Sequence, residues 1–212
     1  MSASVQYAFN SYQGAGLSWC HRHVLPALLD FCSDLKPGSR VLDVGCGNGS
    51  VAAVMASRGF QVTGLDLSES GIRFARESCP AARFELLAAD ENVLEKLGET
   101  PFDLVYSLEV IEHLYSPRRL MAGCFAATKP GGRFVCSTPY HGYWKNLAIS
   151  LVNGWDHHTK PWFEGGHIKF FSRKTLSALM SETGFRDLRF RGVGRFPYLW
   201  AGMLIAGNRP SL

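Results

Sequence analysis

The 212-residue chain reads as an α/β protein: a doubly wound, mostly parallel seven-stranded sheet that ends in an antiparallel hairpin. Three observations predict this. Short apolar runs alternate with helix-patterned stretches from Arg40 to Ser137. The first of those runs breaks into closely spaced glycines at its carboxyl end. The last two runs follow each other with no helix between them, which makes that pair antiparallel.

The elements follow in order. A helix starting near residue 19 has Ser18 as its cap and stops at Lys36-Pro37-Gly38. Residues 40–44 (RVLDV) form a strand, and the Val- and Ala-rich stretch 50–58 a helix stopped by Gly59. Strand 61–65 leads to a Ser-capped helix over 68–78, strand 83–87 to a short helix over 91–97, and strand 103–108 to helix 117–128, with Pro117 near its start. Lys129-Pro130-Gly131-Gly132 reads as a turn before strand 133–137. The rhythm breaks at Pro139. Residues 139–171 hold eight aromatic residues and four of the seven histidines, and a connection of that length is expected to be a functional lid that packs on the body. Helix 173–183, strand 185–191 and a strand near 202–206 complete the chain. The expected organisation is one domain over 1–212, with an N-terminal helical cap over about 1–36 and a lid insertion over about 139–171.

Composition narrows the class. With 46% hydrophobic and 19% charged residues the chain can bury a sizeable core, which excludes a disordered protein. The first hundred residues carry 8 Lys and Arg against 11 Asp and Glu, and the remainder 14 against 7. The basic residues of the second half form no dense run, so they read as a solvated face and nucleic acid is not the expected partner. The six cysteines lack C-x-x-C spacing and several lie in apolar runs, so reduced thiols are expected. The start MSASVQYAFNSYQ has neither a basic segment nor an apolar core of a secretory signal, and the expected location is cytoplasmic.

The strand RVLDV runs directly into Gly45-Cys46-Gly47-Asn48-Gly49. Glycines there let the backbone turn and approach a ligand, and the helix that follows offers unpaired N–H groups. The spacing is not the G-x-G-x-x-G of a dinucleotide site. Asp43, just before the glycines, would repel a pyrophosphate, yet suits the cationic end of S-adenosylmethionine (SAM), which has a sulfonium and an ammonium and no phosphate. Asp66 closes the second strand, where a carboxylate can accept both ribose hydroxyls. Asp90 follows the third strand, where it could meet the adenine amine. Three acids at the ends of three successive strands would line one crevice.

These segments resemble the class I SAM-dependent methyltransferases. VLDVGCGNGS is similar to their glycine-rich motif, GLDLSES to the ribose segment and AADENV to the adenine segment; FDLVYSLEVIEHL and KPGGRFVCSTP are similar to their fourth and fifth strand motifs. The resemblance spans roughly residues 35–208. It implies a Rossmann-like fold, with Gly45, Gly47 and Gly49 along the methionine part of SAM, Cys46 as a small filler beside the loop, Asp66 on the ribose, Asp90 and Glu91 at the adenine, and Leu67 and Ser107 as cofactor neighbours.

Methyl transfer is a displacement at an already activated carbon, so the protein mainly aligns the acceptor and takes its proton. Glu109, Glu112 and His113 stand where such a base belongs, on one face if the segment is helical. His113 is the expected base, with Glu109 and the lid residues His141 and His167 as further catalytic candidates. E-x-x-E-H also resembles the pattern of ubiquinone-pathway O-methyltransferases and small-RNA 2′-O-methyltransferases, which implies a divalent ion on Glu109, Glu112 and His113, completed by His141, His157, His158 or His167. The same pattern occurs in relatives without a metal, and the preferred expectation is a metal-free site.

The expected acceptor is a small molecule, methylated at oxygen by the same resemblance. Most lid aromatics, and Tyr7, Tyr12, Trp19 and His21, are expected to pack rather than react. Residues 144–152, with an interfacial Trp144 and Lys145, either form an apolar helix against the body, the preferred reading, or touch a membrane surface. The alternatives are an RNA, nitrogen or carbon methyltransferase, a nicotinamide oxidoreductase, and a non-catalytic SAM-binding protein. Oligomeric state is not legible.

Overall fold

The computed structural model describes residues 16–159, 161–163 and 165–211. Tyr7, Tyr12 and the first part of the expected N-terminal cap lie outside the described residues. Seven strands form one sheet: β1 (Arg40–Val44), β2 (Gln61–Asp66), β3 (Arg83–Leu86), β4 (Phe102–Leu108), β5 (Thr128–Pro139), β6 (Arg186–Val193) and β7 (Gly202–Asn208). Their spatial order is β3-β2-β1-β4-β5-β7-β6. The first five are parallel, and β7 runs antiparallel to both neighbours, as the missing helix before it requires.

Helices cover both faces because the inner strands alternate side-chain direction between two apolar layers. On β4, Leu104, Tyr106 and Leu108 join the layer under α1 (Trp19–Phe31), α2 (Ser50–Ser57) and α3 (Glu69–Ser78), while Phe102 and Val105 join the opposite one. That second layer lies under α4 (Val93–Leu97), α5 (Pro117–Ala127) and α8 (Arg173–Thr183). Phe134 and Phe185 stack at its centre, 5.0 Å apart. Caps set the helix starts: Ser18, Ser68 and Ser172 each accept from a backbone N–H of the first turn, and Ser172 with Thr175 forms a reciprocal pair.

Several boundaries differ from expectation. The first helix closes at Phe31, where the Cys32 amide caps it, well before Lys36. The predicted turn at Lys129–Gly132 lies inside β5: Thr128 already pairs with Phe102, the register then shifts, and Arg133 pairs with Leu104, so the turn residues are accommodated as an irregularity within the strand. The lid contains two helices of its own, α6 (Tyr143–Leu151) and α7 (Trp155–Thr159). The lid aromatics do not pack as expected, since Tyr143, Trp144, Trp162, Phe163 and Phe170 are exposed. All six cysteines are free thiols, five of them buried. Among the described residues no helix is long and apolar enough to cross a membrane.

The consequence for function lies between β1 and β4. Chain order runs outward from β1 to β3 on one side and from β4 onward on the other. Loops at the carboxyl ends of β1 and β4 therefore diverge and open a crevice at the switch point.

Candidate functional site

The glycine loop is fastened to β2. The Gly45 and Cys46 amides both donate to the Leu65 carbonyl, at 2.7 and 2.9 Å, and the Gly47 amide donates to Asp66 Oδ2 at 2.7 Å. Gly45 has φ +83° and an added Cβ would lie 2.3 Å from Val110 Cγ2, so no other residue fits. Gly49 has φ +75° at the cap of α2, and a Cβ there would meet Ala75 at 2.8 Å. Cys46 is the expected filler, its thiol packed beside Gly64.

Asp66 also accepts from the Ser68 amide at 2.8 Å. The Gly47, Ser68 and Leu67 amides all act on this carboxylate, which keeps acceptor capacity for a hydroxyl. Asp43 departs from expectation. It is 2% exposed beneath the loop, and Tyr106 Oη donates to its Oδ2 at 2.9 Å across the β1–β4 pair. Burial pushes its pKa up to about 8, against the pull of the Tyr106 bond, so at neutral pH it is mostly a neutral acid bracing the loop rather than an anion offered to a cationic ligand. Asp90 is held by Lys96 Nζ at 2.5 Å, with Arg119 at 3.7 Å, and accepts from the Asn92 amide. The cap of α4 is therefore Asn92, with Asp90 bracing the turn before it. Glu91 and Leu67 are exposed near these strand ends, and Ser107 is fully buried at the end of β4.

The acids after β4 are the most strained part. Glu109 adopts φ +55°, a left-handed conformation unfavourable for a non-glycine residue, and so precedes the short 3-10 turn Ile111–His113 instead of sharing a helix with it. Its amide donates to Ser137 Oγ at 3.0 Å, and that hydroxyl donates to Glu109 Oε1 at 2.7 Å. Burial raises the Glu109 pKa to about 7, opposed by the Ser137 bond and by Lys145. Glu112 is 0% exposed; Thr138 is close enough to act on its carboxyl group, but neither side chain makes a well-aligned hydrogen bond to the described residues. Burial, then the adjacent Glu109, drives its pKa well above the usual range. Its backbone carbonyl accepts from the Ile168 and Lys169 amides, which ties the lid to this turn.

His113 and His167 complete the cluster. The His113 Nδ1 lies 2.8 Å from the Gly165 carbonyl, an acceptor only, so Nδ1 carries a proton. The His113 and His167 rings meet edge to face at 4.9 Å, and His167 Nε2 lies 3.9 Å from Glu112 Oε1. One ligand atom from each of Glu112, His113 and His167 falls within 4.8 Å of the others. Of the ligands expected, Glu112 and His113 come together with His167 from the lid, while Glu109 is occupied by Ser137. One carboxylate and two imidazoles suit a small divalent ion, and the two orphaned oxygens of Glu112 are what such an ion would satisfy.

His141 belongs to a neighbouring group. It is buried, with Nδ1 3.3 Å from Asn146 Oδ1, and its ring faces Trp155, His158 and Phe170. Burial and then Lys145 press its pKa down to about 4, which leaves it neutral and unlike a base poised near pH 7. Lys145, expected at a surface, is instead 4% exposed, while its neighbour Trp144 is 58% exposed. Sequence reasoning missed Tyr106, Ser137 and the inward turn of Lys145. The i to i+4 spacing of Tyr143, Leu147 and Leu151 points the other way for the last, since an apolar stripe predicts that face to be buried, whereas Tyr143 and Leu151 are exposed.

Known proteins resemble the chain over most of its length. The family described as "Methyltransferase domain" matches residues 19–189. The ubiquinone biosynthesis O-methyltransferase of Thiobacillus denitrificans is 34% identical over 162 residues, covering 74% of this chain and 68% of that protein. The protein of the same name from Idiomarina loihiensis is 32% identical over 163 residues, covering 74% and 65%. The chain thus spans about two thirds of the length of these relatives. Among solved structures, the magnesium protoporphyrin IX methyltransferase of Synechocystis with bound S-adenosylhomocysteine superimposes with a TM-score of 0.64 at 18% identity, covering 87% of this chain and 80% of that one.

The neutral Asp43 gives a stability prediction. Its folded pKa of about 8 lies above the ordinary aspartate value, so the folded state holds the proton more tightly. That stabilisation is complete below about pH 4 and is lost as pH rises towards 8. Asp43→Asn keeps an oxygen for Tyr106 and cannot ionise. In thermal unfolding, the Tm of the variant relative to wild type should therefore rise between pH 5 and pH 8; a constant difference would show that Asp43 titrates normally.

Proposed function

The chain belongs to the SAM-dependent methyltransferase family, and from that premise we propose that it is a cytoplasmic enzyme that methylates an oxygen of a small-molecule acceptor. The observation that carries this reading is the placing of orphaned polar groups. Ser50 Oγ, Ser107 Oγ, both Glu112 oxygens and Thr138 Oγ1 are buried with no hydrogen-bond partner among the described residues. These lie at the glycine loop or at the carboxyl ends of β4 and β5, while one further such atom, His21 Nδ1, is on α1. Buried polar groups are normally paired, so such a concentration marks a ligand site. The relatives named above as O-methyltransferases support oxygen as the accepting atom.

In this reading Gly45, Gly47 and Gly49 line the methionine part of SAM, and Asp66 uses its remaining acceptor capacity on the ribose. Asp90 and Glu91 lie towards the adenine, with Leu67 and Ser107 beside the cofactor. The acceptor oxygen attacks the methyl carbon, the carbon–sulfur bond breaks with its electrons going to sulfur, and the acceptor proton leaves to a base. His113, tied to the lid through Gly165, is the base in this reading, and Glu109, His141 and His167 position the acceptor. A divalent ion held by Glu112, His113 and His167 would occupy the ring nitrogen that such a base needs, and would instead supply a Lewis acid that lowers the pKa of the acceptor hydroxyl. The exposed side of α6 and the loop after β6 support contact with a lipid surface: Trp144, Leu147, Leu151, Tyr198 and Leu199 line an open groove of about 490 Å³ beside the lid.

Three outcomes are expected. Calorimetry should detect S-adenosylhomocysteine binding to the wild type, weakened about tenfold or more in Asp66→Ala; a folded wild type that does not bind it would end the reading. Chelation decides between base and ion: loss of activity, restored by added Mg²⁺ or Mn²⁺ in the wild type but not in Glu112→Gln, assigns the ion, and full activity after chelation excludes it and leaves His113 as the base. Phosphatidylglycerol vesicles should retain the wild type and release a Leu147→Asp, Leu151→Asp variant; equal flotation of the two would assign that patch elsewhere.

A further inference from the structure

Asn48 stands in the glycine loop between Gly47 and Gly49, yet it is 7% exposed and both ends of its side chain are bound. Its Oδ1 accepts from the Ser50 amide at 3.2 Å, which fixes the side chain against the start of α2. Its Nδ2 donates to the Gly16 carbonyl at 3.2 Å. The adjacent Gly47 amide donates to Asp66. A continuous set of bonds thus runs from the carboxylate at the end of β2, through the loop, to the segment that precedes α1. Among the described residues, the Asn48–Gly16 bond is the one hydrogen bond that joins residues 16–23 to anything outside α1 and its cap.

That segment crosses from one side of the crevice to the other. At its start Gly16 meets the loop after β1. Cys20, in the first turn of α1, lies within electrostatic reach of Glu109 and Glu112 beyond β4. His23, one turn further, faces Gly194 in the connection from β6 to β7, where an added Cβ would lie 3.6 Å from its ring. Packing contributes little at the start of the crossing: Gly16 is exposed, and a Cβ there would meet nothing within 4 Å. Leu17, half-buried against the layer under α1, gives the segment a pivot. A length of chain with one pivot and one neutral hydrogen bond opens at small cost.

We propose that Asn48 is a positioning residue: it latches residues 16–18 to the glycine loop across the crevice, and so sets how fast SAM enters and S-adenosylhomocysteine leaves. The latch bonds the loop rather than the ligand. Breaking it therefore raises entry and exit together and leaves the equilibrium affinity nearly unchanged. This role does not depend on which atom accepts the methyl group, only on the glycine loop holding the cofactor.

The test is stopped-flow binding of S-adenosylhomocysteine to the full chain, read by intrinsic fluorescence, together with amide hydrogen exchange of the free protein. N48D keeps an oxygen for the Ser50 amide and cannot donate to Gly16. N48S also keeps an oxygen, adds no charge, and has a shorter side chain that leaves Gly16 unmet. Association and dissociation rates should both rise about fivefold in each variant, with Kd within about twofold of wild type. Exchange should quicken at His21 and Arg22, whose amides bond to Ser18, and stay unchanged in α2. Where the two variants disagree N48S decides, because a new carboxylate can itself repel the carboxylate of the ligand. Unchanged rates overturn the proposal. Faster dissociation without faster association also overturns it, and assigns Asn48 to a contact with the cofactor. Faster exchange throughout α2, or failure of both variants to fold, overturns it by making Asn48 a brace of the loop. A folded wild type that does not bind S-adenosylhomocysteine removes the cofactor from the glycine loop, and the latch with it; methylation of nitrogen or carbon instead of oxygen leaves the latch standing.

Discussion

The glycine loop after β1 is held in place by hydrogen bonds to the end of β2, and the rest of the site depends on that attachment. Two amides on the Leu65 carbonyl and one on Asp66 fix where the loop turns. A side chain at Gly45 or Gly49 would push the loop off Val110 or α3. Because the loop lies at the switch point of the sheet, its position also sets the width of the crevice to β4. Asp43 and Tyr106 tie the same two strands together from below, through a bond that is protected from water. The floor of the site is thus rigid before any ligand arrives, and a rigid floor lowers the ordering cost of binding.

The opposite wall is built on different terms. The segment after β4 turns through a left-handed glutamate and a single 3-10 turn, leaving a buried carboxyl without a well-aligned partner at Glu112. Such an arrangement is unfavourable for folding alone. It is held because the lid closes over it: the Ile168 and Lys169 amides grip the Glu112 carbonyl, and the Gly165 carbonyl accepts from the His113 ring. Local strain compensated by surrounding packing is common where chemistry is done. The lid is therefore one structural unit with the acid cluster, and a displacement of residues 165–169 would move both imidazoles at once.

The two faces of α6 divide their labour. Its inner face carries Lys145 to the Ala201 carbonyl, and its outer face leaves Tyr143, Trp144 and Leu151 exposed.

The sequence by itself determined the sheet, its helices and the place of the crevice. Period-two and helical patterns are local, and the glycines, caps and Pro117 act within a few residues of where they stand, so they are legible without partners. The missing helix between the last two strands was enough to orient β7. The candidate residues for the cofactor were legible for the same reason, since strand ends and their acids lie in known order. Only the tertiary structure decided what depends on neighbours distant in sequence. Asp43 reads as an anion until Tyr106, 63 positions away, is placed against it and water is removed. Glu109 and Glu112 look equivalent in E-x-x-E-H, but Ser137 takes one, and His167, brought by the lid, faces the other. Lys145 resembles a surface lysine until α6 rotates it inwards. Charge state and ligand grouping are set by burial and by long-range contacts, and neither is encoded in the spacing of adjacent residues.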